Sequence, residues 1–211
     1  MKLYFSPLAC SMATRIAFYE AGAHAEFTLV DTKAKTFGEG ADFYAINPLG
    51  QVPVLDAGAG LLLTENAAIL PFVAEQFAAA GLAPASAAGR ARMQQWLGFI
   101  GTELHKAVFI PLLDPQAPEG AKAYAREKAG LRFQVLHKHL AARQFLLEQF
   151  SVADAYLFVV LNWAAYCGID LQSWPGLAGY YQRLAARPSI AKALSEELAM
   201  YEQARALRAK A

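Results

Sequence analysis

Gly50-Gln51-Val52-Pro53-Val54-Leu55, followed after a short turn by Thr64-Glu65-Asn66, is the stretch around which this 211-residue chain is organised. Gly50 permits a turn. Pro53 has a fixed φ and no N–H to donate, and it stands at the entrance to a short apolar strand, a position that a sheet tolerates. Leu61-Leu62-Leu63 is a second apolar run, and Ala57-Gly58-Ala59-Gly60 before it is a turn signal, so the two runs read as a hairpin. Glu65 and Asn66 then open a helical pattern. The first turn of a helix offers N–H groups and the positive end of the dipole, which suits a carboxylate. A strand edge beside such a helix start can hold a small acidic peptide. The same pattern also fits an ordinary hairpin followed by an ordinary helix.

Ahead of this stretch, Lys2-Leu3-Tyr4-Phe5 has the composition of a strand and Ser6-Pro7 ends it. Ser11 to Glu20 reads as a helix, with Met12, Ile16 and Tyr19 at helical spacing and Gly22 as its stop. Glu26 to Val30 is a second strand, and strand–helix–strand order predicts a parallel crossover. Asp31 to Gly50 reads as a long polar loop, and Ala67 to Phe77 as a helix that Pro71 should bend or weaken. The order βαβ then ββα is the thioredoxin-like plan. Cys10 precedes the first helix, where a thiol is favoured as its thiolate; a buried, inert cysteine is the plain alternative. Position 13 is Ala13, so a Cys-x-x-Cys dithiol cycle is excluded at this site. Ser11 is read as a hydrogen-bond donor at the helix start or as its cap. Tyr4 points to the opposite face from Leu3 and Phe5 and is expected to pack.

Hydrophobic residues make up 56% of the chain, many of them alanine, which supplies a core and favours helix. Nineteen basic and eighteen acidic residues give a net charge of +1 with no basic stripe, so no nucleic-acid partner is expected. No apolar run is long enough for a transmembrane helix, and the opening residues lack the plan of a signal peptide. With Cys10 and Cys167 as the two cysteines there is no disulfide framework, and a cytoplasmic location is expected.

Ala78 to Ala88 reads as a linker, placing an α/β domain at 1–80 and an all-helical domain at 88–211. Helices are expected over Arg90 to Phe109, Glu119 to Leu140, Ser151 to Cys167, Leu177 to Ala186 and Ile190 to Leu207. Ser151-Val152-Ala153-Asp154 is a capping box. The run Ala155 to Leu161 behind it is apolar all round except for the tip of Tyr156, as befits a buried axis. His105, in Thr102-Glu103-Leu104-His105-Lys106, is a lone helix histidine, which by itself is usually structural or exposed.

Three separated motifs carry a family resemblance across nearly the whole chain. Asn47 to Leu55 with Leu63 to Ile69 resembles the glutathione-binding half of the glutathione transferases. Met1-Lys2-Leu3-Tyr4-Phe5-Ser6-Pro7-Leu8-Ala9-Cys10-Ser11 and Trp96 to Lys106 resemble the bacterial beta class of that family. The resemblance implies a thioredoxin-like domain followed by an all-α domain, a homodimer, and conjugation of the glutathione thiolate to small apolar electrophiles. Glutathione is then a co-substrate, with no cofactor and no metal. Residue by residue, it implies that Gln51, Val52 and a cis Pro53 line the glutathione site, with the backbone of Val52 pairing the cysteinyl part. Glu65 and Asn66 hold the γ-glutamyl end, and Lys35 reaches the glycine carboxylate. Cys10 and His105 lie at the sulfur, with Thr102 and Lys106 lining the site, and Ser11 at the helix start is counted with Cys10 and His105 as a catalytic candidate. One departure is Gly98, where relatives often carry an asparagine that contacts glutathione. Two other readings stand beside this one: a glutathione-dependent thiol reductase or peroxidase in which Cys10 forms the mixed disulfide, and a non-catalytic docking protein of the same fold. A docking module would need none of Cys10, Glu65, Asn66 and His105.

Overall fold

Strand β1 (Lys2–Phe5) is the centre of a six-stranded mixed sheet ordered β4-β3-β2-β1-β5-β6 in the computed structural model, which describes residues 1–208. β1 runs parallel to β2 (Glu26–Asp31), with Leu3 opposite Phe27. On its other side it runs antiparallel to β5 (Val54–Asp56), with Leu3 opposite Leu55, and β5 pairs antiparallel with β6 (Leu62–Thr64). The expected hairpin is therefore present, with Pro53 just ahead of its first strand. Alternation along β1 sends Tyr4 to one face, where it meets Val30, Phe43, Val54 and the half-buried Phe37 and Val52, and Leu3 and Phe5 to the other.

The segment Asp31 to Gly50, expected as loop, contains a small hairpin: β3 (Thr36–Phe37) and β4 (Ala41–Asp42), followed by a 3-10 turn at Phe43–Ala45. Strands of two residues are too short to show a period. What holds them is aromatic: Phe37 meets Tyr4 edge-on at 5.4 Å and Phe43 at 6.2 Å.

Helix α1 (Met12–Glu20) stops as expected at Gly22, whose φ is +61°. The N–H groups of Gly22 and Ala23 donate to the carbonyls of Tyr19 and Phe18, a Schellman closure. Helix α2 (Asn66–Gln76) runs through Pro71.

Two compact units divide the chain: Met1–Leu82 together with the segment from Arg187 onward, and Ala83–Ala186. The last helix was expected with the helical domain, but it packs in the first unit. In the second unit α3 (Ala87–Phe99) continues through a π-helical segment, Ile100–Phe109, into α4 (Ile110–Leu113). Ser86, read as linker, caps α3 by accepting from the Gly89 N–H at 3.0 Å. α5 spans Glu119–Leu140 as expected. α6 (Val152–Asn162) is shorter than expected, with a separate 3-10 turn at Ala165–Cys167. α7 spans Pro175–Ala185. Asp154, fully buried, accepts hydrogen bonds from the N–H and hydroxyl of Ser151, the N–H of Leu146 and the hydroxyl of Tyr180 at 2.8–2.9 Å. Those four bonds offset the desolvation of a buried carboxylate and anchor the start of α6, which is buried along its whole length to Leu161. Among the described residues no helix is long and apolar enough to cross a membrane.

Helix α8 (Pro188–Arg208) packs on α1 through charge. Arg187 grips Glu20 with two bonds at 2.6 and 2.7 Å. Arg15 is buried, its guanidinium 4.2 Å from the ring centroids of both Phe5 and Phe27, and it pairs with Glu196 and Glu197 at 3.2 Å. Glu197, fully buried, accepts from the N–H of Leu8 at 2.7 Å. Leu8 itself sits at φ +60°, two residues before Cys10. Burial raises the Glu197 carboxyl to about 7 against the opposing pull of Arg15. A raised folded-state pKa means that protonation favours the folded state. This contribution is fully present below the carboxyl's ordinary value of 4.5 and is lost as the pH rises through about 7. Glu197→Gln cannot ionise, so its melting temperature relative to the parent should rise between about pH 5 and about pH 8. Melting curves of the two proteins that keep a constant separation over that range would contradict the assignment.

Candidate functional site

Cys10 lies in the turn from β1 into α1, and its thiol is directed across the unit to the start of β5. Sγ donates to the carbonyl of Val52 at 3.3 Å, and the side chain is 9% exposed. The Val52–Pro53 peptide bond is cis, as the resemblance implies. The turn holding Cys10 is closed by backbone bonds from Ala9 to Ser6 and from Met12 to Ala9. Ser11 neither caps α1 nor faces outward: it is fully buried, and its hydroxyl lies 3.3 Å from both the N–H and the carbonyl of Ser6. The hydroxyl expected to donate at the helix start or to cap it is occupied in closing the turn. Its helical φ and ψ (−60° and −24°) explain why, since a capping serine normally takes extended backbone angles.

The side chain of Asn66 is likewise engaged within the unit. It is 4% exposed, its amide Nδ2 donates to the carbonyl of Cys10 at 3.0 Å, and its Oδ1 accepts from the Thr14 hydroxyl at 3.3 Å. The side chain braces the Cys10 turn, so what Asn66 can offer a ligand is its backbone N–H at the start of α2. Its neighbour Glu65 is exposed and stands at the N-cap position with φ +65° and ψ +124°. A non-glycine residue there is strained by roughly 1–3 kcal/mol, and such strain concentrates at ligand clamps and switches. The Glu65 side chain makes no capping bond to its own helix.

The loop before Pro53 is shaped by Asn47, a residue to which the sequence reading gave no role. Its Nδ2 donates to the Gln51 carbonyl at 2.7 Å, its Oδ1 accepts from the Leu49 N–H at 3.1 Å, and its own carbonyl accepts from the Gly50 N–H at 2.7 Å. The Asn-Pro dipeptide was the available signal, because asparagine side chains close such turns. Gly50 has φ +58°, and a Cβ there would come within 2.9 Å of both Lys35 and Tyr44. The close approach brings the Lys35 ammonium to the Gly50 carbonyl at 2.9 Å. Gln51 is exposed, Val52 half-buried and Pro53 buried beside it. The first unit thus gathers Cys10, Lys35, Gln51, Val52, Pro53 and Glu65 around one strand end and one helix start: a thiol, an ammonium, a backbone edge and a positive dipole end.

In the second unit, Thr102, His105 and Lys106 share the π-helical segment Ile100–Phe109. Its wider turn was invisible to a period count, although π-segments recur at functional sites. Thr102 and Lys106 are exposed, and the Thr102 hydroxyl donates to the Gly98 carbonyl at 2.9 Å. His105 is buried, with Nδ1 2.7 Å from the Tyr156 hydroxyl and its ring 4.9 Å from that of Trp163. Burial, with help from Lys106, lowers its pKa to about 4, so it is neutral at neutral pH. Nothing lies within 4 Å of a Cβ placed on Gly98.

A family model for the glutathione S-transferase N-terminal domain matches residues 1–75, and one for the C-terminal domain matches residues 99–188. The glutathione S-transferase GstA of Escherichia coli O157:H7 is 39% identical over 199 residues, covering 93% of this chain and 98% of the relative. Among solved structures, a sphingomonad glutathione S-transferase complexed with glutathione is 45% identical with a TM-score of 0.88, covering 93% of this chain and 98% of the other. A bacterial beta class enzyme from Sphingomonas chungbukensis is 42% identical with the same TM-score and the same coverage. The chain belongs to the glutathione S-transferases, and within them to the bacterial beta class.

Proposed function

We propose that this protein transfers glutathione to small apolar electrophiles, with glutathione as co-substrate and no further cofactor, and that it works as a cytoplasmic homodimer in detoxification. The observation that carries the reading is the grouping in the first unit: the Cys10 thiol on the Val52 carbonyl, the Lys35 ammonium at Gly50, and strained Glu65 at the start of α2. The groups match the tripeptide's parts. The backbone edge at Val52 pairs with the cysteinyl segment, and Lys35, with Gln51 beside it, takes the glycine carboxylate. The Glu65 carboxylate takes the ammonium of the γ-glutamyl end, whose carboxylate meets the first N–H groups of α2. Glutathione attacks as its thiolate, so stabilising that anion is the enzyme's chemical task. In the first unit Cys10 is assigned to it, and in the second unit His105, which shares its π-helical segment with Thr102 and Lys106.

Glu65→Ala should weaken glutathione binding by roughly 1.5–3 kcal/mol, the range for hydrogen bonds to charged groups. Asn66→Ala should act differently, lowering the melting temperature, since it removes the brace under Cys10. Calorimetry showing full affinity in folded Glu65→Ala would remove Glu65 from the site.

A serine at position 10 keeps a hydrogen-bond donor but not a nucleophile that ionises near neutral pH. Cys10→Ser should therefore retain conjugation within about tenfold, a single hydrogen bond's worth, while exchange with a glutathione mixed disulfide is lost. Steady-state rates for an aromatic halide and for a mixed disulfide, measured in parallel, decide it. Undiminished exchange would eliminate Cys10 as nucleophile, and conjugation at background would make the thiol essential to transfer.

A further inference from the structure

We infer that Tyr156 is a positioning residue that fixes the tautomer of His105, holding the imidazole proton on Nε2. The inference rests on the assignment of His105 to the glutathione thiolate. Nδ1 of His105 and the Tyr156 hydroxyl are 2.7 Å apart, and both side chains are buried, at 7% and 4% exposure. The two rings meet edge-on, 86° between planes, and Trp163 lies against the imidazole from another side at 4.9 Å, so the ring's orientation is packed on both flanks. Tyr156 is on α6, every residue of which is buried from Val152 to Leu161 and whose first turn is pinned by Asp154. The hydroxyl is therefore carried on a rigid element.

A neutral imidazole has one nitrogen that donates and one that accepts. Of the two ways to fill the 2.7 Å contact, the phenol O–H donating to Nδ1 pairs the better donor with the better acceptor. The remaining imidazole proton then stays on Nε2, as an N–H donor. With its pKa held near 4, the ring is a poor base for a thiol proton. Nε2–H is then the hydrogen-bond donor that His105 presents, the form suited to stabilising a thiolate. Tyr156 thus decides which end of the ring is the donor, in the way that a hydrogen bond to one imidazole nitrogen sets the role of the other. An apolar helix with a single polar tip was the signal in the sequence.

The test uses the full chain labelled with 15N histidine. The imidazole nitrogens of His105, assigned by their loss in His105→Ala, should report protonated Nε2 and unprotonated, hydrogen-bonded Nδ1 in the parent. Tyr156→Phe should show a mixture of tautomers, with kcat for conjugation lowered about tenfold, KM for glutathione unchanged and a cooperative melt retained. A parent whose proton is on Nδ1 overturns the inference whatever the variant does. So does an unchanged tautomer or an unchanged kcat in folded Tyr156→Phe. Full conjugation in His105→Ala would instead remove the underlying role of His105, a result separate from the tautomer.

Discussion

The side chain of Asn66 ties together three stretches of the first unit: the start of α2 that carries it, the Cys10 turn through the Cys10 carbonyl, and α1 through Thr14. Buried amides demand partners, and this one finds an acceptor in the Cys10 turn and a donor in α1. With the turn fixed, Sγ of Cys10 is aimed at Val52. With the helix start fixed, Glu65 is held in a conformation it would not adopt alone. Asn66 occupies a motif position where a ligand contact was expected. It acts by keeping the thiol, the strand end and the dipole end in register.

The same turn is braced from the far end of the chain. Glu197 holds the N–H of Leu8, and Arg15, its guanidinium lying against the rings of Phe5 and Phe27, pairs with Glu197. Burying both charges is costly unless they are paired and hydrogen-bonded. The return is geometric: Leu8 stays left-handed, and the approach to Cys10 is fixed. That arrangement explains why α8 packs with the first unit, whereas a division of the sequence by composition puts it with the other helices.

Much of the fold was legible because the strands are apolar, short and punctuated by glycine and proline. β1, β2 and the hairpin of β5 and β6 lie within a residue or two of where Tyr4, Val30, Val54 and Leu63 placed them. The hairpin of β3 and β4 was not legible, because Thr36–Phe37 and Ala41–Asp42 are held by the contacts of Phe37 with Tyr4 and Phe43 and not by a local period. At the site, residue types were readable and their duties less so. The side chains of Ser11 and Asn66 act as struts, because their partners, Ser6 and Cys10, are brought to them by turns a linear reading does not close. The π-helical segment around His105 escaped for a related reason: its i→i+5 bonding leaves no compositional trace.

The central claim is that glutathione pairs with the backbone edge at Val52 and with the first turn of α2. Amide hydrogen exchange read residue by residue, with and without glutathione, tests it most directly. The account predicts that saturating glutathione slows exchange at the Val52 N–H and at the N–H groups of Asn66 and Ala67, with little change along β2. Slowed exchange elsewhere, with those three amides unaffected in the glutathione-bound protein, would contradict it.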